Sequence, residues 1–281
     1  MKMQVIDAKL AERVEQSEMR YMVDRMRAMQ ERPGNPMGVE IARFGNAVAL
    51  YAREMPWPQF NTVKGLSEAE AERVDEVIAW YGDRAPQWEI IPSRGGQALQ
   101  QRLAQRGYYQ SGFHSSWFMP LVLESRQSDP AAETGRETSS GEWRLAELSL
   151  ADGLEQYARV HCLATGLPLS GAEAVAANNE VLLGRAGWSF YLAEAEDGEP
   201  AGAAVMHCAD GVASLTFAAV LPQYRGRGLH QALILRRLEQ ARASGCTLAV
   251  SQAAYASASA RNMERCGLRL AYTRATWSAL P

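Results

Sequence analysis

Arg225, Gly226, Arg227 and Gly228 alternate charge with glycine directly after Pro222, Gln223 and Tyr224. An apolar run, Ala213–Val220, precedes them, and the helix-like segment Leu229–Arg242 comes next. A strand leading through a Gly- and Arg-rich turn into a helix is a device for holding a phosphate. Glycine lets backbone N–H groups approach an anion closely, and the helix N-terminus adds partial positive charge. Each arginine can add a charge-assisted hydrogen bond, worth roughly 1.5–3 kcal/mol. The spacing fits neither common nucleotide fingerprint. No Lys-Ser or Lys-Thr closes a P-loop here, and the third glycine of a dinucleotide turn would fall on Gln231.

Other chemistry-bearing residues are scattered. Cys162, Cys208, Cys246 and Cys266 show no Cys-x-x-Cys spacing, and His161, His207 and His230 do not cluster with them into a metal-ligand pattern. His207 and Cys208 are neighbours in an expected strand and so point to opposite faces. Reduced thiols and no metal are the expectation. Met22, Met26 and Met29 share a helical stripe and read as core, while Tyr51, Trp57 and Phe60, interrupted by Pro56 and Pro58, read as packing or an aromatic wall.

The elements that must position these residues are legible from periodicity. In the second half, strands are expected at Trp143–Leu148, Trp188–Ala195, Ala201–His207, Ala213–Val220 and Thr247–Ser251, with a last one ending at Trp277. Helices are expected at Ala151–Ala164, Ala172–Leu183, from Leu229, and at Ala258–Arg265. The first half reads as strands Val39–Phe44, Ala47–Arg53, Phe60–Val63, Trp88–Ile91 and Gly112–Met119, with helices Leu10–Gln30, Glu68–Tyr81 and Gln97–Arg106. Between the halves, residues 123–141 are polar, contain Pro130, Gly135 and Gly141, and read as a linker. The chain is therefore α/β or α+β. A net charge of −3 gives no reason to expect nucleic acid or an anionic membrane as partner. No apolar run approaches the ~20 residues of a membrane span. The charged N-terminus lacks a signal-peptide core, so the cytoplasm is the expected compartment.

The segment Gln223–Gly228 resembles the Gln/Arg-x-x-Gly-x-Gly/Ala signature of the GNAT acetyltransferase superfamily. The order downstream of it, a strand at Thr247–Ser251, a helix at Ala258–Arg265, Gly267-Leu268 and a terminal strand, is similar to that family over most of residues 142–281. The resemblance implies a mixed, largely antiparallel sheet flanked by helices, with a central parallel strand pair splayed to admit acetyl-CoA. It implies that backbone at Ala218, Ala219 and Val220 pairs with the pantetheine arm. Gln223 would start the turn, with the pyrophosphate on Arg225, Gly226, Arg227, Gly228, Leu229 and His230. The family's Asn and Tyr places fall on Ala256 and Met263, so Ser257, Ser259 or Asn262 is left to supply the hydrogen bond and Tyr255 to act as general acid. No carboxylate stands on Ala213–Val220 to serve as base, leaving Glu194 and Glu196 as substitutes. The implied activity is direct acetyl transfer from acetyl-CoA to a primary amine, on a small molecule or peptide, by a monomer or homodimer. The alternative is a non-catalytic acyl-CoA sensor.

The first half repeats this plan. Trp117 stands ten residues beyond Gly107, as Trp277 does beyond Gly267, with Arg106 and Arg265 preceding the glycines. At the place of the phosphate loop it has Lys64-Gly65-Leu66-Ser67, then Glu68 and Glu70 at a helix start. Carboxylates there satisfy the helix dipole and repel phosphate. The expected organisation is a degenerate GNAT-like domain at 1–122, a linker at 123–141 and an acetyl-CoA-binding domain at 142–281.

Overall fold

A computed structural model describes residues 5–55, 57–122, 138–140, 142–149 and 153–280. The chain forms two compact units. The first comprises 1–117 with 253–257 and 270–281, and the second comprises 118–252 with 258–269.

In the first unit, helix α1 (Ala8–Gln30) begins where the Asp7 carboxylate accepts a hydrogen bond from Leu10 N at 2.7 Å, which caps the exposed N–H groups. Its Leu10, Val14, Met22, Met26 and Met29 stripe is buried, so the methionines are core. The sheet order is β1 (Val39–Phe44), β2 (Ala47–Ala52), β3 (Thr62–Lys64), β4 (Gln87–Ile90), β12 (Arg269–Ala279), β5 (Tyr108–Pro120). Strands β1 to β3 pair antiparallel, and β3 and β4 pair parallel at Thr62↔Gln87 and Val63↔Trp88. A 3-10 turn (Glu68–Arg73) leads into α2 (Val74–Tyr81), and α3 (Gln97–Gln105) covers the same core. That core holds Val63, Tyr81, Trp88, Leu99, Leu103 and Trp277.

Trp277 pairs with Trp88 in an antiparallel ladder, so the chain's last strand belongs to the first unit from Leu270 onward. Domain boundaries placed at 122 and 142 therefore miss an exchange of strand. Residues 270–281 lie in the first unit, and 118–122 lie in the second. Gly107 and Gly267 both come after a helix with positive φ (77° and 91°), the left-handed helix end that glycine adopts without strain.

In the second unit the order is β11 (Leu248–Ala253), β10 (Val212–Val220), β9 (Pro200–Ala209), β8 (Trp188–Glu194), β7 (Trp143–Leu148), β6 (Thr138–Ser140). The expected linker is corrected at its end. Residues 138–140 pair with 143–145 as an edge strand, whereas 123–137 and 141 lie outside the described residues. Helices α4 (Leu154–Thr165), α5 (Ala172–Glu180), α6 (Leu229–Ala243) and α7 (Ala258–Arg265) complete it. The expected start of α4 near Ala151 also lies outside the described residues. The sheet is mostly antiparallel, with β10 and β11 parallel.

Candidate functional site

The β10–β11 ladder runs through Val212↔Leu248, Ala213↔Ala249, Ser214↔Val250 and Leu215↔Ser251, and then stops. Strand β10 continues for five more residues, Thr216–Val220, beyond its last parallel rung. A bulge lies at the same place. On β9, Val205 and His207 are two apart, whereas their partners Phe217 and Ser214 are three apart. The extra residue bends β10 and re-aims the side chains beyond it. Two polar side chains hold the bend. Ser251 Oγ donates to Leu215 O at 3.0 Å, and Arg237 Nη1 donates to Val205 O at 3.2 Å and to Phe217 O at 3.0 Å. Arg237 also donates through Nε to Leu233 O, and burial pulls its guanidinium down to about 10, still cationic at neutral pH. Thr216, Phe217 and Ala218 are half-buried between fully buried neighbours, so the strand opens at this point.

The turn after β10 has the expected character. A 3-10 turn (Pro222–Tyr224) holds Gln223, then Gly226 and Gly228 take φ of 79° and 83°. No described atom lies within 4 Å of where a Cβ would stand on either glycine. The first turn of α6 leaves its N–H groups pointing out of the helix. Among the described residues, no carbonyl accepts from the N–H groups of Gly226, Arg227, Gly228, Leu229 or His230. Five such donors lie at and just before the start of α6.

The two arginines are placed differently from expectation. Arg225 donates through Nε to Val220 O at 3.1 Å and through Nη2 to Ala164 O at 3.1 Å, tying the strand end to the end of α4. Arg227 donates to the Glu142 carboxylate at 2.7 Å and lies 4.9 Å from the Trp143 ring. Both guanidiniums are therefore engaged within the protein, and the donors of this turn without a described acceptor are backbone N–H groups. Glu142 and Trp143, adjacent to the linker in sequence, could not be assigned to the loop from pattern alone.

His230 and Asn262 come together, with Asn262 Nδ2 at 3.3 Å from His230 Nδ1. Gln231 Nε2 donates to Asn262 Oδ1 at 3.3 Å, so α6 and α7 are linked by side-chain amides. Burial, with a smaller push from Arg237, lowers His230 to about 4, leaving a neutral imidazole. Ala219, Val220 and Leu229 are buried and Ala218 half-buried. Ser257 stands immediately before α7, and Tyr255, in the preceding turn, is 63% exposed. Both fall in the segment that groups with the first unit. Glu194 is tied to Arg144 in an ion pair. All four cysteines are free thiols, and no group of three or more metal-ligating side chains is assembled among the described residues.

The first unit treats the equivalent place differently. Lys64, one residue beyond the last β3–β4 rung, pairs with Glu89 on β4 and donates to Glu18 of α1 at 2.9 Å. Arg274 on β12 bridges the same Glu18 and Glu89. All four side chains are nearly inaccessible. Burial alone would raise Glu18, but Arg274 and Lys64 outweigh it and hold the carboxyl well below its usual range. Glu70 closes a capping box with Ser67, and Glu68 accepts from Ala98 N and Leu99 N at the start of α3. Glu68 thus caps a different helix from the one directly after it. Tyr51 lies under Arg84 and Phe60 is buried, which makes them packing.

Residues 169–268 match the family model described as Acetyltransferase (GNAT) family. This segment, which holds the Gly-rich turn and the β10–β11 pair, is the part of the chain that is similar to that family. Three solved GNAT structures are similar over most of the chain's length. A GCN5-related N-acetyltransferase from Kribbella flavida has a TM-score of 0.60 at 16% identity, covering 92% of this chain and 95% of its own. A GCN5-related N-acetyltransferase from Sphaerobacter thermophilus gives 0.55 at 15% identity, covering 84% and 81%. A tandem GNAT protein from the clavulanic acid biosynthesis pathway, solved without AcCoA, gives 0.56 at 16% identity, covering 86% and 82%. No curated protein matches the chain in sequence. The Gln-x-x-Gly-x-Gly pattern, Gln223–Gly228, lies inside the matched segment and has no counterpart in the first half.

Proposed function

We propose that the second unit binds one acetyl-CoA and transfers its acetyl group to a primary amine by direct attack. The observation that carries this reading is the end of the β10–β11 ladder at Leu215↔Ser251, with β10 running on to Val220 and into a turn of free N–H groups. Strand backbone left without a parallel partner has hydrogen-bonding capacity for the amides of a pantetheine arm. In this reading Ala218, Ala219 and Val220 offer that backbone, and Gln223 to His230 cradle the pyrophosphate. Ser257 and Asn262 supply polar contacts to the arm, and Tyr255 protonates the departing thiolate. A backbone N–H near Val220 would meet the developing oxyanion. Calorimetric titration with CoA tests the binding half, with one CoA per chain expected and two per chain or none against it. Release of free thiol from acetyl-CoA over a panel of primary amines tests the transfer, and binding without turnover would favour a sensor. Tyr255→Phe should slow turnover without moving CoA affinity.

A further inference from the structure

Leu221 N donates to Ala201 O at 2.9 Å, one rung beyond Val220↔Gly202. Antiparallel rungs alternate between bonded and non-bonded pairs, so Ala219↔Ala203 and Phe217↔Val205 are bonded pairs as well. Phe217 and Ala219 therefore direct their backbone groups at β9. Ala218 and Val220 direct theirs the other way, to the side that β11 has left at Leu215↔Ser251. The Val220 carbonyl on that side accepts from Arg225 Nε at 3.1 Å, as the alternation requires.

No cis peptide bond occurs among the described residues, and a trans peptide points its C=O and its N–H in opposite directions. The peptide between Phe217 and Ala218 thus has its oxygen on the β9 side and its N–H on the side that β11 has left. Arg237 of α6 donates from one nitrogen, Nη1, to Phe217 O at 3.0 Å and to Val205 O at 3.2 Å, across a single rung. Its remaining bond goes to Leu233 O within α6, so the guanidinium acts on this peptide and not on the next one, between Ala219 and Val220. Arg237 is 2% exposed. Tyr191 and Cys266 are the groups that act on its charge, and no carboxylate is among them. A cation buried without a carboxylate is costly, and here carbonyl oxygens hold it.

We infer that Arg237 is a positioning residue for the acetyl transfer: it polarises the Phe217–Ala218 peptide and makes Ala218 N–H the donor that meets the thioester oxygen. The role rests on the acetyltransferase reading above. The amine, having lost its extra proton to water, forms the C–N bond to the thioester carbon, and the carbonyl π pair moves onto oxygen. Ala218 N–H meets that charge, and the guanidinium behind the peptide strengthens the donor without giving up a proton. The pair on oxygen then restores the C=O bond as the C–S bond breaks with its electrons on sulfur. A nitrogen-bound proton ends on sulfur as CoA thiol.

The test compares wild type with Arg237→Lys, Arg237→Gln and Arg237→Met. The readouts are CoA affinity, thiol release with spermidine, an aminoglycoside and a lysine-containing peptide, and the infrared band of bound acetyl-CoA isotope-labelled at the acetyl carbonyl. Gln keeps an N–H donor and removes the charge, whereas Lys keeps the charge. The Gln and Met variants should bind CoA within about threefold of wild type while kcat falls about 30-fold, with little change in acceptor KM. Arg237→Lys should retain most of the rate. The thioester band should lie at lower frequency in wild type than in free acetyl-CoA, and should return toward the free position in the Gln and Met variants. Wild-type kcat with an unmoved band in Arg237→Gln overturns the assignment alone. So does a loss of CoA affinity with kcat unchanged at saturation, which would make Arg237 a purely structural residue. A wild type that does not bind CoA, or binds it and releases no thiol with any amine, overturns the acetyltransferase reading beneath it. Should Arg237→Met misfold, the Gln and Lys variants carry the comparison. Should none of the three fold, the wild-type band decides, since a bound carbonyl at its free frequency has no polarised donor against it.

Discussion

Each unit has a parallel strand pair among the described residues, β3–β4 and β10–β11, and the two pairs end in opposite ways. In the second unit the ladder stops at Leu215↔Ser251, and β10 carries on through half-buried Thr216, Phe217 and Ala218 without an ionisable side chain. In the first unit the rung after Val63↔Trp88 is closed by the Lys64–Glu89 ion pair, which Glu18 and Arg274 complete as a buried ring of two cations and two anions. The turns differ in the same sense. Gly226 and Gly228 lie in a turn with five backbone N–H groups without a described acceptor, whereas at the corresponding turn Glu70 accepts from Ser67 N and Glu15 from Gly65 N. The parallel pair thus ends in a strand that runs on past its partner in one unit and in a buried ion-pair ring in the other, depending on which side chains stand just past the last rung.

The largest expected effect breaks the closed pair. Arg274→Met leaves Glu18 and Glu89 facing Lys64 alone, and removing one partner of a buried ion pair costs roughly 3–5 kcal/mol. Urea unfolding should show a stability loss of that size, and an unchanged midpoint would mean that the ring does not hold the first unit together. Because Arg274 lies near the chain's end, residues 1–122 alone lack it, and a chain starting near Ser139 carries its last strand without β4. Separate halves are therefore poor tests of function, and full-length titration is preferred.

Glu15 sharpens the same contrast through pH. Burial raises its carboxyl from 4.5 to about 7 against the pull of Arg94 and Lys64. A carboxyl raised in the folded state makes the protein most stable below the unfolded value, and stability falls as pH rises from 4.5 to 7. Glu15→Gln should therefore stabilise above pH 7, by on the order of 3 kcal/mol, with the gain vanishing near pH 4.5. His230 and His114, both lowered by burial, act with the opposite sign, so the effect is read as the difference between wild type and variant. A pH-independent difference would contradict the assignment.

Opening and closing can also be compared at the loop. Gly228→Val imposes a side chain at φ 83°, where no described atom crowds it but the backbone is strained for an L-residue. CoA affinity should fall by more than about tenfold, or roughly 1.4 kcal/mol. Unchanged calorimetric affinity in a folded variant would remove the loop from the site. The smallest effects are expected at the cysteines. Single Ala or Ser substitutions at Cys162, Cys208, Cys246 and Cys266 should leave turnover largely intact if the amine attacks directly. A mass shift for an acetylated cysteine during turnover, lost with activity in one variant, would show a covalent route instead.

Much of this was legible in the residues. The two- and 3.6-residue periods locate β1, β7 and α7 to the residue, through Val39 and Ile41, Trp143 and Leu145, and Ala260 and Met263. The signature at Gln223–Gly228 locates the turn, since glycine at positive φ leaves a mark in sequence that no other residue mimics. Edge strand β6 was not legible, because Thr138, Ser139 and Ser140 carry no apolar alternation.

By itself, the sequence determined the Gly-rich turn at Gln223–Gly228 and the elements around it, because each depends on local dihedrals and periodicity. Only tertiary structure decided that Leu270–Ala279 completes the first unit, where Arg274 meets Glu18 and Glu89. It also decided that Arg225 and Arg227 serve protein acceptors, and that His161 lies flat on Phe217. These are pairings between residues far apart in the chain. A charge or ring in sequence shows what it can bind, and its partner is set by packing.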